Sequence, residues 1–303
     1  MNKNVKILGL IAIILVSSLF IFSTKSETIE TQNFNDKNTS ETYQIKALKI
    51  PNNLEFAGER VPLEKPDIKE RIDKELLVNT YWQSNGLLLI KRAHKYFPII
   101  EPILKENGIP DDFKYLALIE SGLQNVTSPA GATGFWQIMK ATAIENNLEV
   151  NSNVDERYHL EKSTQAACNY LNVAKERFGS WTLAAASYNA GIRGISNKLE
   201  TQKVTDYYDL LVADETSRYI PRMVALKEIL LNSEKYGFLF EKEDLYTLTP
   251  TKTIKVDTAI TNIASFSKSF GINYKVLKLH NPWLRENNLN NKSGKLYEIK
   301  IPK

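Results

Sequence analysis

A single cysteine, Cys168, serves a chain of 303 residues, so no disulfide can close within it. It lies among Ala166, Ala167 and Tyr170 in a helical stretch and reads as a small packed side chain. The three histidines, His94, His159 and His280, are scattered with no spacing that would build a metal cage. A zinc site is therefore not expected, nor any other cofactor. Lys and Arg outnumber Asp and Glu only by 39 to 35 and form no dense block, so nucleic acid is not an expected partner. Between residues 67 and 237 no strand pattern competes with the helical one. What the chain does have is an ordinary globular balance, 43% hydrophobic and 24% charged. It is long enough for one substantial core and a small second domain.

The N-terminus places Lys3 and Lys6 before an uncharged apolar run from Ile7 to Phe22, after which the chain turns polar. That is the layout of a secretory signal, and its length is marginal for a membrane span. Residues 1–24 are read as a signal peptide or an uncleaved membrane anchor, since no clear small-x-small cleavage site follows. No cysteine follows the run, which argues against a lipid anchor. Either way the bulk of the chain is exported. Residues 25–65, rich in Asn, Thr, Glu and Lys and interrupted by Pro51 and Pro62, read as a polar linker.

From Asp67 the apolar spacing turns helical. One helix runs through Ile68, Ile72 and Leu76 and another from Leu87 to Tyr96, with Pro98, Pro102 and Asn107-Gly108 as punctuation. Asp111 is the expected N-cap of the next helix and Gly122 its stop. A short helix follows through Met139 and Ile144, then one from Ser163 to Gly179 and one from Trp181 to Tyr188. A final long helix covers Ser217 to Asn232, capped by Asp214 or Thr216. The fold expected for residues 66–240 is mainly α. Residues 250–303 differ. Thr251–Val256 and the alternation of Tyr297, Ile299 and Ile301 read as strands around two short helices, the second capped by Asn273. That strand-helix-helix-strand unit predicts a small, independent α+β module.

Glu120 is the candidate for the chemistry. It shares an apolar helical stripe with Phe113, Leu116 and Ala117, and a carboxylate there is costly to keep charged. Its pKa should rise towards neutrality, as a general acid requires. An exposed helix-end glutamate or a salt-bridged structural one is the bland alternative. Glycosidases ordinarily use two carboxylates, and none of Asp111, Asp112, Asp155 or Glu156 is an obvious partner. One acid suffices if the substrate brings its own nucleophile, as N-acetylmuramic acid can through its C6 hydroxyl.

Glu120-Ser121-Gly122, Ser128-Pro-Ala-Gly131-Ala-Thr-Gly134-Phe-Trp-Gln137 and Ala186-Ser187-Tyr188-Asn189-Ala190-Gly191 resemble the three ordered motifs of soluble-type lytic transglycosylases. The catalytic domain of that family is helical and goose-lysozyme-like. Asp214-Glu-Thr-Ser-Arg-Tyr219-Ile-Pro221, with Val154-Asp155-Glu156-Arg157 and Glu161-Lys-Ser-Thr164, is similar to the membrane-bound lytic transglycosylase D branch. The resemblance spans roughly residues 90 to 237. It implies that Glu120 is the acid/base and that Ser121 orients it or contacts the sugar. It also implies that Gln137 lines the cleft, that Tyr188 and Asn189 bound the scissile bond, and that Tyr219 hydrogen-bonds Glu120. Read as isolated residues, Tyr188 and Tyr219 could equally be core aromatics and Asn189 a turn residue. Phe135 is expected in the core, while Trp136 fits either the core or a sugar face.

Ile263-Ala-Ser-Phe266, Phe270-Gly-Ile-Asn273 and Leu277-Lys-Leu-His-Asn281-Pro282-Trp283-Leu284 resemble a lysin motif. The usual Gly-Asp-Thr-Leu start is replaced by Val256-Asp257-Thr258-Ala259, which leaves glycan binding or simple docking as its role. The resemblance as a whole implies a monomeric enzyme of the bacterial cell envelope, periplasmic or membrane-anchored. It would act on peptidoglycan glycan strands and cleave the β-1,4 bond between N-acetylmuramic acid and N-acetylglucosamine to leave a 1,6-anhydro end. A hydrolytic muramidase and a non-catalytic wall-binding scaffold are the alternatives.

Overall fold

The computed structural model describes residues 45–303, so the expected signal or anchor and the first part of the linker lie outside the described residues. Helices α1 (Pro66–Tyr81), α2 (Gln83–Glu106), α3 (Lys114–Ser121), α4 (Lys140–Glu145), α5 (Leu160–Phe178), α6 (Trp181–Ala190), α7 (Ile192–Gln202) and α8 (Asp214–Leu231) surround the main core. Among the described residues no helix is long and apolar enough to cross a membrane.

Several boundaries differ from the expectation for physical reasons. Helix α2 runs unbroken through Pro98 and Pro102. Each proline forfeits a backbone hydrogen bond, but Phe97, Ile100 and Leu104 are buried around them, and that packing holds the helix together. Asp111 does not cap α3. A 3-10 turn over Asp111–Phe113 comes first, and the Asp111 carboxylate takes Lys114 Nζ at 2.6 Å. Neither Asp214 nor Thr216 caps α8, whose first helical residue is Asp214 itself with Ala213 at the cap position. Gly122, Gly179 and Asn273 end or begin their helices as expected, the two glycines in the left-handed region.

The stretch from Ile50 to Val61 is not a loose tether. Strands β1 (Glu55–Phe56) and β2 (Glu59–Arg60) form a tight hairpin, and Leu54, Phe56 and Val61 are buried in the main core. Phe56 packs edge-on against Phe113 at 5.1 Å. The Glu59 carboxylate accepts the backbone N–H groups of Trp181 (2.5 Å) and Thr182 (2.9 Å). A carboxylate at a helix N-terminus is favoured by the helix dipole, so this bond fixes the start of α6.

At the C-terminal end β3 (Thr251–Val256) and β4 (Tyr297–Pro302) pair antiparallel, Val256 opposite Tyr297 and Thr251 opposite Pro302. Helices α9 (Ile263–Ser269) and α10 (Tyr274–His280) lie between them in sequence, and Tyr297, Ile299 and Ile301 face inward as the alternation predicts. The module does not stand apart. Val154, from the loop before α5, is fully buried in the module's own core and bridges to Leu284. Asp155 N–H donates to the Trp283 carbonyl and Arg285 N–H to the Asn153 carbonyl, both at 2.9 Å. Lys295 reaches Glu149 at 2.7 Å, and Lys300 pairs with Glu161.

Candidate active site

Glu120 occupies the last turn of α3, two residues before Gly122 turns the chain at φ 59°. Phe113, Leu116 and Ala117 on its stripe are fully buried, while Glu120 itself is half-buried. The stripe therefore ends at the edge of the core and carries the carboxylate towards solvent. Helix α8 packs beside α3, and the buried Tyr219 donates its hydroxyl to Glu120 Oε1. Burial pushes the Glu120 carboxyl up to about 7; the Tyr219 hydrogen bond works against that rise, Glu215 adds to it and Arg222 opposes it. Near neutral pH such a group exists in both protonation states, which suits it to give a proton and take one back.

Tyr188, in the last turn of α6, donates its hydroxyl to the Trp136 carbonyl at 2.8 Å. Its ring meets Tyr170 edge-on at 5.3 Å. Burial first, then the nearby Glu120, raises the Tyr188 and Tyr219 hydroxyls well above the ordinary tyrosine range. Both remain neutral donors throughout the working pH range. Asn189 accepts the Thr216 hydroxyl on its Oδ1 at 2.7 Å, which ties the end of α6 to the first turn of α8. Glu120, Tyr188 and Tyr219 are thus neighbours, and Asn189 is fixed at the junction of the same two helices.

The other two expected residues are engaged differently. The Ser121 hydroxyl is buried and donates to the Phe135 carbonyl at 2.8 Å. Ser121 therefore holds the second motif against α3 and is not turned towards Glu120. Gln137 adopts a left-handed backbone with φ 46°. Its side-chain amide donates to the carbonyls of Gly134 (2.8 Å) and Val126 (3.0 Å), bracing the loop that contains it. Trp136 resolves to the core: it is fully buried and its indole N–H donates to the Thr164 hydroxyl at 2.8 Å. Phe135 is buried as expected.

The same loop explains the Val154-Asp155-Glu156-Arg157 motif. Arg157 is clamped by both oxygens of Asp155 and donates to the Gly131 carbonyl at 2.9 Å. Gly134 sits at φ 83°, and a Cβ there would meet the Arg157 carbonyl oxygen at 2.1 Å. Only glycine lets the two segments approach so closely. The motifs around Glu120 are therefore largely a scaffold that braces the segments beside α3.

Sequence reasoning missed Glu215 and Arg222. They stand four residues before and three after Tyr219 on α8, a spacing that places all three on one helical face. That periodicity was the available signal, but it becomes informative only once Tyr219 is known to face Glu120.

Residues 97–211 match the family model of the transglycosylase SLT domain. Residues 252–303 match that of the soluble lytic transglycosylase C-terminal LysM-like domain. Membrane-bound lytic murein transglycosylase D of Escherichia coli is 29% identical over 257 residues, which cover 82% of this chain and 55% of that protein. The chain thus spans about half the length of that curated relative. Among solved structures, the 70 kDa soluble lytic transglycosylase of Escherichia coli superposes with a TM-score of 0.42 at 17% identity, covering 63% of this chain and 39% of that one. Lytic transglycosylase Slt of Pseudomonas aeruginosa gives 0.40 at 18% identity, covering 50% and 26%.

Proposed function

The chain carries a transglycosylase SLT domain over residues 97–211 and a LysM-like domain of the lytic transglycosylases over 252–303, and from that premise we propose that it is a peptidoglycan lytic transglycosylase with Glu120 as its single acid/base. The observation that carries this reading is the half-buried Glu120 carboxyl, held near 7 and bonded by Tyr219. In its protonated form Glu120 gives its proton to the glycosidic oxygen between N-acetylmuramic acid and N-acetylglucosamine as the C1–O bond breaks. The resulting carboxylate then takes the proton of the muramic C6 hydroxyl as that oxygen bonds to C1. The proton count closes, no water enters, and a 1,6-anhydro end results. Tyr219 fixes the carboxyl rotamer through both steps. Tyr188 and Asn189 bound the cleft beside the reacting bond, and the LysM-like module holds the wall polymer.

Glu215 gives the hydrolytic alternative a foothold that the sequence did not show, because it is a second carboxylate acting on the same site. Its exposure in the first turn of α8 argues against a desolvated base. Mass spectrometry of digested peptidoglycan separates the two readings. Anhydromuramic ends are expected, and reducing ends alone would sink the proposal. Glu120→Gln should abolish lysis while sacculus binding persists, and binding without lysis in the unaltered protein would favour the scaffold reading. We place the protein in the cell envelope, as an exported monomer that stays at the membrane if the N-terminal segment is retained. Cell fractionation with N-terminal sequencing of the mature protein tests that placement.

A further inference from the structure

Glu75 of α1 is a carboxylate with only 1% of its surface exposed. Two guanidiniums from α8 meet it. Arg218 Nε donates to Oε1 at 2.6 Å, and Arg222 Nε lies 3.6 Å from Oε2. Asn79, one turn along α1, lies 3.5 Å from Oε2 through its amide nitrogen. A charge this deep is tolerated only when fully partnered, and nothing in the proposed reaction uses it.

Arg222 links this cluster to Glu120. Arg218 and Arg222 are four residues apart and share a face of α8; Glu215, Tyr219 and Arg222 share the adjacent one. Arg222 thus stands on the border between Glu75 and the face whose Tyr219 holds Glu120. The groups around Glu120 are Tyr219, Glu215 and Arg222 from α8 and Tyr188 from α6. Arg92 of α2 approaches the turn after α3, where it donates to the Gly122 carbonyl at 3.3 Å. Of the two α8 charges, Glu215 favours the protonated acid and Arg222 the ionised one. A guanidinium free to swing onto Glu120 would form an ion pair in a half-buried site and leave the acid ionised at neutral pH.

Building on the reading of Glu120 as the acid, we propose that Glu75 is a positioning residue for it: its buried carboxylate, with Arg218 as second anchor, holds Arg222 against α1 and keeps that guanidinium from pairing with Glu120. Glu75 touches no substrate in this scheme and acts through Arg222 alone.

The test uses charge-removing variants of the full chain with opposite expected signs. Arg222→Met keeps the aliphatic stem and removes the cation. It should move the alkaline limb of the kcat/KM profile on peptidoglycan upward by about half a pH unit. Glu75→Gln should move it downward by a similar amount, and the double variant should match Arg222→Met, because without the Arg222 cation Glu75 has nothing to hold. If Glu75→Gln does not fold, Glu75→Asp, which keeps the charge but shortens its reach, should give the same downward sign. A 13C carboxyl titration of Glu120, assigned by the loss of its signal in Glu120→Gln, reads these shifts without turnover. Opposite shifts in the two single variants, with the double variant matching Arg222→Met, support the proposal, whereas a double variant back at the unaltered value shows Glu75 acting on Glu120 directly and overturns it. Shifts of one sign, or a loss of thermal stability with an unmoved titration, overturn it and leave Glu75 a structural ion pair. If the unaltered protein forms no anhydro product yet shows the opposite carboxyl shifts, the proposed function fails and this electrostatic arrangement stands.

Discussion

Replacing Glu120 by Gln removes a charge from a half-buried site but keeps the shape and the Tyr219 contact, since an amide carbonyl accepts a hydroxyl as a carboxylate does. The unaltered carboxyl titrates near 7 in the folded protein against an ordinary 4.5, chiefly because of burial. The folded state therefore binds this proton more tightly than the unfolded state. The site costs nothing below pH 4.5, where both states hold the proton. The cost grows between 4.5 and 7 as the unfolded chain ionises first, and is constant above 7. At 1.36 kcal/mol per pH unit the full cost is about 3 kcal/mol, and on the order of 2 kcal/mol once solvent screening at the open side is allowed for. Glu120→Gln should escape it. For a chain of this size each kcal/mol is about 2–4 °C in Tm, so the variant should melt roughly 5 °C higher at pH 8 and about level at pH 4. Thermal unfolding followed by circular dichroism from pH 4 to 8 measures this directly. A Tm difference that does not change with pH, or a variant less stable at pH 8, would refute the account of a strained, desolvated acid. Such a result would also remove the physical reason for treating Glu120 as catalytic, because sites that work against stability are the mark of function here.

Tyr219→Phe removes a hydrogen bond that favours the ionised acid. The alkaline limb of the pH–rate profile should therefore rise by about one unit, while kcat falls on the order of tenfold from the loss of aim. Gly134→Ala should cost about 2–4 kcal/mol, because its Cβ would collide with the Arg157 carbonyl and the residue sits at positive φ. A denaturant midpoint measures that cost. Val154→Ala should destabilise by about 1–3 kcal/mol and, since Val154 sits inside the module's core, should speed amide exchange in β3 and β4 before that in α3 or α8. Hydrogen exchange by mass spectrometry distinguishes this order from uniform loosening.

Most of the helical scaffold was legible in the sequence because its determinants are local. Gly122 and Gly179 end helices by adopting a conformation open to glycine at little cost. Asn273 caps its helix through a bond to Val276 three residues on. The period-two pattern of Tyr297, Ile299 and Ile301 needs only one buried face. Misreadings fell where distant packing outweighs local preference. Pro98 and Pro102 look like helix breakers until the burial of Phe97, Ile100 and Leu104 is known. The polar tract before Pro66 hides Leu54, Phe56 and Val61, whose burial depends on Phe113 and the helices around it.

The sequence by itself determined that a carboxylate ends an apolar stripe, where desolvation favours a raised pKa, and which motifs accompany it in order. Those conclusions rest on spacing along one helix and on the cost of desolvating a charge. Tertiary structure alone decided which partners each side chain takes. It gave Tyr219 to Glu120, Ser121 to a backbone carbonyl, Trp136 to Thr164 and Arg222 to Glu75. It also seated Val154 inside the C-terminal module. Hydrogen bonds and ion pairs act over a few ångströms between residues far apart in the chain, so no local pattern can encode who meets whom.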